Sequence, residues 1–383
     1  MLSPEVEFAP FKILRNEGGQ EYGLFKAGFQ REKIGLPGLP GNFTSDTVIS
    51  GMLAEYPSML KDQLRYCAYH QGRSINSYTA CEPGKIHHEE PGVQLRGVST
   101  EYVSSYSTAM YLLGHDVYER LTGDRSLVNE QKENIEEAVK YVLRHLDDDV
   151  FWEDHSYTNA KNFALRTTIW NDSGLPDRIT GEPDYRVMFP LLQAQNIRGL
   201  RSAARLLERE DLNEQAQRMV SVLHPQYFDA ELGTFYIGYD RKGPIRGICI
   251  DSLLMLFYLE KGDISEGCVE SIINASAVLE TSAGYLTWDP RISRASVDDP
   301  DSDYYDKAML APFVQAMVDI GAKRFGKIEP QRVAKRVIPY LSGSNPELLI
   351  VTEDGGIVKD GVEEQLWTAA AKIYFAANSH EPG

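Results

Sequence analysis

Apolar residues recur at helical spacing along most of the 383-residue chain. In residues 47–60, Val48, Ile49, Met52, Leu53 and Met59 fall on one face of a helix. The same spacing predicts a short helix through Leu64 and Cys67, and longer ones over residues 103–121, 131–146, 187–207, 212–223, 251–259, 266–279, 307–325, 330–341 and 363–377. Residues 11–14, 22–29, 234–239 and 348–351 alternate weakly, which predicts short strands. The pattern therefore predicts an all-α protein with a few strands.

About eleven or twelve helices in one chain of this length restrict the possible architectures. A helical solenoid would show a repeat of about 34 to 47 residues, and the sequence contains no such repeat. A closed toroid of helical hairpins fits better, because the loops at one end would then converge on a central funnel. No composition break marks a linker, so residues 1–383 are predicted to form one domain, with residues 1–40 as an N-terminal extension packed on it.

The charge balance excludes several classes of partner. The chain has 39 Lys+Arg against 56 Asp+Glu, a net charge of −17, and no basic cluster, which argues against binding nucleic acid or an anionic membrane. No apolar run approaches the roughly 20 residues of a membrane span, and the first residues do not resemble a signal peptide. The four cysteines lack metal-type spacing, which predicts reduced thiols in the cytoplasm.

Two loops carry carboxylates that suit catalysis. The loop at residues 168–178 contains Trp170, Asp172 and Arg178, and a neighbouring aromatic ring would raise the pKa of Asp172 enough for a general acid. The alternative is a capped turn in which an aspartate accepts backbone N–H bonds. Glu347 follows Pro346 and precedes an apolar strand, and by itself it has the pattern of a solvated turn residue. Only a fold that brings Asp172 and Glu347 together would make them a pair.

The segment at residues 82–90 contains two adjacent histidines, His87 and His88. Side chains of adjacent residues in an extended segment point to opposite sides, and no third ligand is suitably spaced, so we predict no metal site. A polar loop lining a sugar pocket is the preferred interpretation. The sequence also lacks a phosphate-binding glycine loop and a GxSxG motif, so we predict no cofactor and no α/β-hydrolase triad.

Read in order, these segments resemble the α-1,6-glucosidase part of glycogen-debranching enzymes. That family belongs to a group of inverting α-glycosidases with a six-fold α/α barrel, which includes glucoamylases, trehalases and mannosylglycerate hydrolases. The most specific match is residues 81–89, similar to Glu-Glu-Pro-Gly-Lys-Ile-Leu-His-Glu of the family. Weaker matches in the same order are residues 43–47, 102–108 with 122–124, 170–173 with 181–183, 346–348 and 365–370.

The resemblance implies a role for each matching residue. Asp172 would be the general acid and Glu347 the general base of an inverting hydrolase. The resemblance further implies a carbohydrate substrate bound by Asp46, Lys85, Glu89, Trp170, Arg178, Tyr305, Gln365 and Trp367. Asp46 would accept hydrogen bonds from sugar hydroxyls, and the aromatic residues would form a wall beside the sugar ring.

The departures from the family pattern concern substrate binding. Ser45 replaces the arginine that holds outer sugar hydroxyls in relatives, and residues 184–187 differ from the family motif. Arg186, Lys85 and Arg178 would suit a small anionic aglycone, or would instead pair with local carboxylates. We expect an α-1,6-glucan or malto-oligosaccharide substrate, with a small α-glucoside or glycosylglycerate as the second expectation. A sugar 2-epimerase and an inactive sugar-binding barrel remain alternatives.

Overall fold

A computed structural model describes residues 3–30, 40–159, 168–171, 174–175, 183–291 and 308–378. Helices predominate among these residues. In chain order they are α1 Pro4–Phe8, α2 Thr44–Leu53, α3 Pro57–Tyr69, α4 Tyr106–Thr122, α5 Ser126–Glu130, α6 Lys132–Arg144, α7 Pro190–Leu207, α8 Glu210–Tyr227, α9 Asp251–Tyr258, α10 Glu266–Ala275, α11 Pro312–Phe325, α12 Ile328–Ala334 and α13 Leu366–Ala377. Shorter 3-10 turns cover Ala9–Phe11, Thr100–Tyr102, Ser276–Leu279 and Lys335–Leu341.

Prolines decide where several helices begin. Pro57, Pro190 and Pro312 are the first residues of α3, α7 and α11, a position where the missing N–H costs nothing. The helix predicted over residues 47–60 is therefore two helices, because a proline is not accommodated inside the first one. The helices predicted from residues 187 and 307 begin later for the same reason, and short strands at Val187–Met188 and Met309–Leu310 precede them.

The helices differ in how much of their surface is buried. All eight residues of α9 and nine of the ten residues of α2 are buried, whereas α6 buries five of thirteen. A helix buried on all sides is surrounded by other elements, and a helix with one apolar stripe lies on the outside. Within the described part of the chain, α2 contacts α4, α4 contacts α7, and the contacts continue through α9, α11 and α13 back to α2. The outer helices α3, α6, α8, α10 and α12 pack beside these inner helices.

The N-terminal ends of α2 and α4 lie together, and so do those of α11 and α13. The hydroxyl oxygens of Ser45, the second residue of α2, and Tyr106, the first of α4, are 2.5 Å apart. The ring of Phe313, the second residue of α11, stacks on the indole of Trp367, the second of α13, with 3.9 Å between ring centroids. This end of the helices, which we call the N-terminal end, holds the carboxylates described below.

Small antiparallel sheets connect the loops at the ends of the helices. Among the described residues they pair Lys12–Glu17 with Gln20–Phe25, Gly28–Phe29 with Glu364–Gln365, Asn42–Phe43 with Glu89–Glu90, Gln94–Leu95 with Val98–Ser99, Leu146–Asp147 with Val150–Phe151, Val187–Met188 with Gly238–Asp240 and Gly243–Ile245, Phe228–Asp229 with Thr234–Phe235, Glu280–Thr281 with Gly284–Tyr285, and Met309–Leu310 with Leu348–Val351 and Ile357–Asp360. The predicted strand at residues 348–351 is confirmed.

The apolar core joins the inner helices to the outer ones. Phe8 and Phe11 of the N-terminal segment belong to the same buried cluster as the inner helices. The four cysteines are buried and form no disulfide. In the described ranges, the helices are all too short or too polar to cross a membrane.

Candidate active site

Glu347 is held at the N-terminal end of α13 by a backbone pairing. Its main-chain N–H donates to the Val362 carbonyl at 3.0 Å, and the Val362 N–H donates to Glu347 Oε2 at 2.9 Å. Two residues earlier, Asn345 pairs with Glu364 just before α13 begins. The Glu347 side chain is 3% exposed. This pairing fixes the position of the Glu347 carboxyl group.

Asp46 and Glu89 come together through a short strand pair. Phe43, just before α2, pairs with Glu89, and the Thr44 N–H donates to the His88 carbonyl at 2.9 Å. The Glu89 carboxylate in turn accepts a hydrogen bond from the Thr100 hydroxyl. The specific motif at residues 81–89 therefore lies beside the start of the helix that carries Asp46.

The carboxyl group of Asp46 is close enough to Glu347 and Glu89 for their charges to affect it. Burial raises the pKa of Asp46 well above its usual range, and the negative charges of Glu347 and Glu89 raise it further. A low-dielectric site with several carboxylates retains a proton on one of them. The protonated form of Asp46 is therefore more favoured than in a solvated aspartate, and that form can donate a hydrogen bond as well as accept one. Such a group suits a sugar hydroxyl, because each hydroxyl is both a donor and an acceptor.

An aromatic wall stands at the same end of the helices. The Trp170 indole meets Phe313 edge to face at a centroid distance of 5.5 Å, and Phe313 stacks on Trp367 with an interplanar angle of 13°. With its side-chain amide oriented so that both of its groups find partners, Gln365 accepts a hydrogen bond from Trp367 Nε1 at 3.2 Å and donates to the Ala27 carbonyl. Both indoles are half-buried, whereas Phe313 and Gln365 are buried. The structure thus brings together three predicted residues and adds Phe313.

Asp251 is a further buried carboxylate that the sequence patterns did not single out. It is the first residue of α9, and its Oδ1 accepts a hydrogen bond from Trp170 Nε1 at 2.8 Å. Burial raises the pKa of Asp251 to about 6, although hydrogen bonds from Trp170 and Cys249 lower it in part. An acidic residue in the first turn of a helix is common, so its position alone carries no signal of function. Phe313, which follows the helix-starting Pro312, likewise has the pattern of an ordinary core residue.

Lys85 lies in a different buried cluster. Its ammonium donates to the Ala80 carbonyl at 3.1 Å and lies 3.9 Å from Glu82 Oε1, and burial lowers its pKa. The side chain is fully buried. Arg186 pairs with Asp147 at 2.6 Å and lies over the Trp152 ring. Arg186 therefore pairs with a local carboxylate, which was the alternative to binding an anionic aglycone.

Three predicted site residues, Asp172, Arg178 and Tyr305, lie outside the described residues. The loop at residues 168–178, which we call the acid loop after the predicted acid Asp172, is described in its first four residues. The Ser104 hydroxyl donates to the Thr168 carbonyl at 2.9 Å, and the Thr168 hydroxyl donates to the Glu153 carboxylate. The start of this loop is therefore attached to the residues just before α4.

The adjacent histidines face different groups. The His87 ring contacts Tyr66 edge to face at 5.5 Å, and the His88 ring contacts Phe43 at 5.3 Å. Across the described residues, no group of three or more His, Cys, Asp and Glu side chains is arranged to hold a metal ion.

Gly361 gives the Glu347 side chain the space it occupies. Its φ is +73°, and a Cβ at this position would lie 2.5 Å from Glu347 Oε2 and 2.8 Å from Glu347 Cβ. We expect Gly361→Ala to displace the carboxylate and to lower kcat by about tenfold to 100-fold, because displacements of about 1 Å have effects of that size. Steady-state kinetics with a glycoside that the wild-type protein hydrolyses would measure the loss of kcat.

The neighbouring Gly355 provides a matched control. It has φ +81° in the turn between two strands of the same sheet, and a Cβ there would meet nothing within 4 Å. Both alanine variants bear the same left-handed backbone strain of about 1–2 kcal/mol. Equal activity losses in the two variants would mean that strain, and not the Glu347 contact, is the cause.

Known protein structures share this fold. No protein-family model and no curated protein matches the sequence. Among solved structures, the chain is similar to a GH63 mannosylglycerate hydrolase from Thermus thermophilus in complex with Tris and D-glycerate. The sequences are 13% identical, the match covers 94% of this chain and 97% of that one, and the TM-score is 0.63.

Two further structures extend the comparison. The same hydrolase in complex with glucose matches 92% of this chain and 96% of its own, at 13% identity and a TM-score of 0.62. A GH78 rhamnosidase from a Bacillus species matches 89% of this chain but 32% of its own, at 12% identity and a TM-score of 0.58. The mostly helical fold described above is therefore shared with these two glycoside hydrolases and is consistent with an α/α-barrel fold.

Proposed function

We propose that the protein is an inverting glycoside hydrolase with a six-fold α/α barrel. The observation that carries the proposal is the buried Glu347, fixed by the Val362 N–H next to the carboxyl of Asp46 at the N-terminal end. The closed series of contacts among α2, α4, α7, α9, α11 and α13 supports the six-fold barrel. Phe8 and Phe11 share its core, which supports one domain over residues 1–383 with residues 1–40 packed on it.

Hydrolysis would require one proton donor and one base. Glu347, ionised, would take a proton from a water molecule on one face of the sugar ring. Asp172 would give its proton to the glycosidic oxygen on the other face, so that the leaving group departs as a neutral alcohol. The water oxygen bonds to the anomeric carbon as the glycosidic bond breaks, and the sugar product has the opposite anomeric configuration.

The remaining residues would bind the sugar. Asp46 would form hydrogen bonds with sugar hydroxyls, and the nearby Glu89 would help to position Asp46 and the sugar. Trp170 and Trp367 would form the wall beside the sugar ring. Gln365 would act through Trp367, since its amide accepts from that indole. Tyr305 would complete the wall. Arg178 would contribute positive charge around the funnel, whereas Lys85, fully buried beside Glu82 and the Ala80 carbonyl, would support the segment at residues 81–89 and would not touch the sugar.

For the substrate we propose a small α-glycoside such as a glycosylglycerate or a disaccharide. The support is that the similar mannosylglycerate hydrolase matches this chain over nearly the whole length of both proteins. An α-1,6-glucan, as in glycogen debranching, is the second candidate, favoured by the motif at residues 81–89 beside Asp46. We propose no cofactor, and we place the enzyme in the cytoplasm because its four cysteines form no disulfide.

The test is a substrate panel followed by NMR. The protein is incubated with glucosylglycerate, mannosylglycerate, an α-1,6-linked glucose disaccharide and limit dextrin, and the anomeric protons of the released sugar are recorded within the first minutes. We expect the β-anomer to appear first from one of the small α-glycosides, because inversion changes the configuration.

Other outcomes separate the alternatives. Rapid glucose release from limit dextrin, without turnover of the small glycosides, would favour debranching. The α-anomer appearing first would contradict inversion. Epimerisation of a free reducing sugar would identify an epimerase, and sugar binding without turnover of any substrate would identify an inactive barrel.

A further inference from the structure

Asp251 joins the acid loop to the inner helices. Its carboxylate is 6% exposed, and it accepts the Trp170 indole N–H at 2.8 Å. A hydrogen bond donated to a carboxylate fixes the rotation of the indole, because the ring carries a single N–H donor. Trp170 lies two residues before Asp172, and two residues of chain span at most about 7 Å.

The segment before Asp172 is attached on two sides. On the α4 side, Ser104 and Glu153 hold Thr168. On the α9 side, Asp251 holds Trp170, and the Trp170 ring contacts Phe313 of α11. Releasing the second attachment would free both the aromatic wall and the chain that leads to the acid.

We propose that Asp251 is a positioning residue that acts through Trp170: its carboxylate orients the indole beside the sugar and fixes the start of the loop that carries Asp172. This inference rests on the proposed glycosidase function. Asp251 itself transfers no proton in this scheme. Its pKa of about 6, raised by burial, leaves it mostly ionised at neutral pH, which is the form that accepts the indole N–H most strongly.

The test combines Asp251→Asn, Trp170→Phe and the double variant. The phenylalanine keeps the ring but lacks the N–H, and the asparagine keeps the shape but lacks the charge. We expect each single variant to lower kcat/KM on an O-glycoside about tenfold or more. On a glycosyl fluoride, whose leaving group needs little protonation, we expect a clearly smaller loss, because a displaced acid matters little there and only the change in the wall beside the sugar remains. The double variant should be no worse than Trp170→Phe alone, because Asp251→Asn weakens, by loss of the charge, the same contact that Trp170→Phe removes.

Asp116→Asn is the matched control for loss of a buried aspartate. Asp116 lies on α4, ten residues and about 15 Å along the helix from Tyr106. We expect this control to change the melting temperature without changing the ratio of the two activities. If Asp251→Asn behaves in the same way, its role is only structural and the proposal is wrong. A further large loss when Asp251→Asn is added to Trp170→Phe would instead indicate a direct catalytic role and would also overturn the proposal.

A second readout does not depend on activity. In a ¹H–¹⁵N spectrum of the wild-type protein, the Trp170 indole signal, assigned by its absence in Trp170→Phe, should lie downfield and be protected from hydrogen exchange. Asp251→Asn should shift it upfield and speed its exchange. If the signal does not respond to Asp251→Asn, the contact is absent in solution and the inference fails. If the signal responds but no glycoside is turned over, the proposed hydrolase function fails instead.

Discussion

Replacing Glu347 by glutamine is expected to lower kcat by about 10³-fold or more, with little change in folding. Glutamine has the same shape and can still accept the Val362 N–H, but it cannot take a proton from water. The binding of sugar depends on other groups, so KM should change much less than kcat. Initial rates on the best substrate of the panel, together with far-ultraviolet circular dichroism, would measure both effects. Activity within tenfold of the wild type would exclude Glu347 as the base.

Adding azide to a Glu347 variant tests whether Glu347 activates the water nucleophile. In Glu347→Ala the shortened side chain leaves space for an anion, and azide attacks the anomeric carbon without needing a base. We expect azide to restore turnover and to form the β-glycosyl azide from an α-glycoside. Asp116→Asn, which removes a buried carboxylate far from the N-terminal end, should keep wild-type activity and should not respond to azide. Restored activity that yields an α-glycosyl azide would contradict an inverting mechanism.

The helices were largely predictable because apolar spacing is a local signal. The predicted helix at residues 251–259 corresponds to α9, and the one at residues 131–146 corresponds to α6. Three of the boundary errors fall at prolines, since Pro57, Pro190 and Pro312 are the first residues of helices that the spacing alone did not delimit. Apolar periodicity does not register the missing N–H of a proline, which favours the first turn of a helix, although α8 continues past Pro225 near its end. These prolines were therefore the signal for the correct boundaries.

Individual candidate residues could be proposed from the sequence, but their arrangement could not. Asp46 and Glu347 are separated by most of the chain, and their interaction depends on the pairing of Phe43 with Glu89 and of Glu347 with Val362. Two-residue strands of this kind leave too short a pattern to recognise. Asp251 was missed for a different reason. Its importance comes from the Trp170 indole, which lies 81 positions away in sequence.

Replacing Asp172 by asparagine is expected to show leaving-group dependence, the signature of a lost acid. The acid protonates the departing oxygen, so the loss should be about 10³-fold on an O-glycoside with an alkoxide leaving group. On a glycosyl fluoride the variant should keep activity within about tenfold of the wild type, because fluoride departs with little help from an acid. Glu347→Gln should lose activity on both substrates, since both need an activated water. The measurement is kcat on each substrate for the wild type and the two variants. If Asp172→Asn loses both activities equally, Asp172 does not act as the general acid, and the proton donor must be sought among the other carboxyls at the N-terminal end, beginning with Asp46 and Asp251.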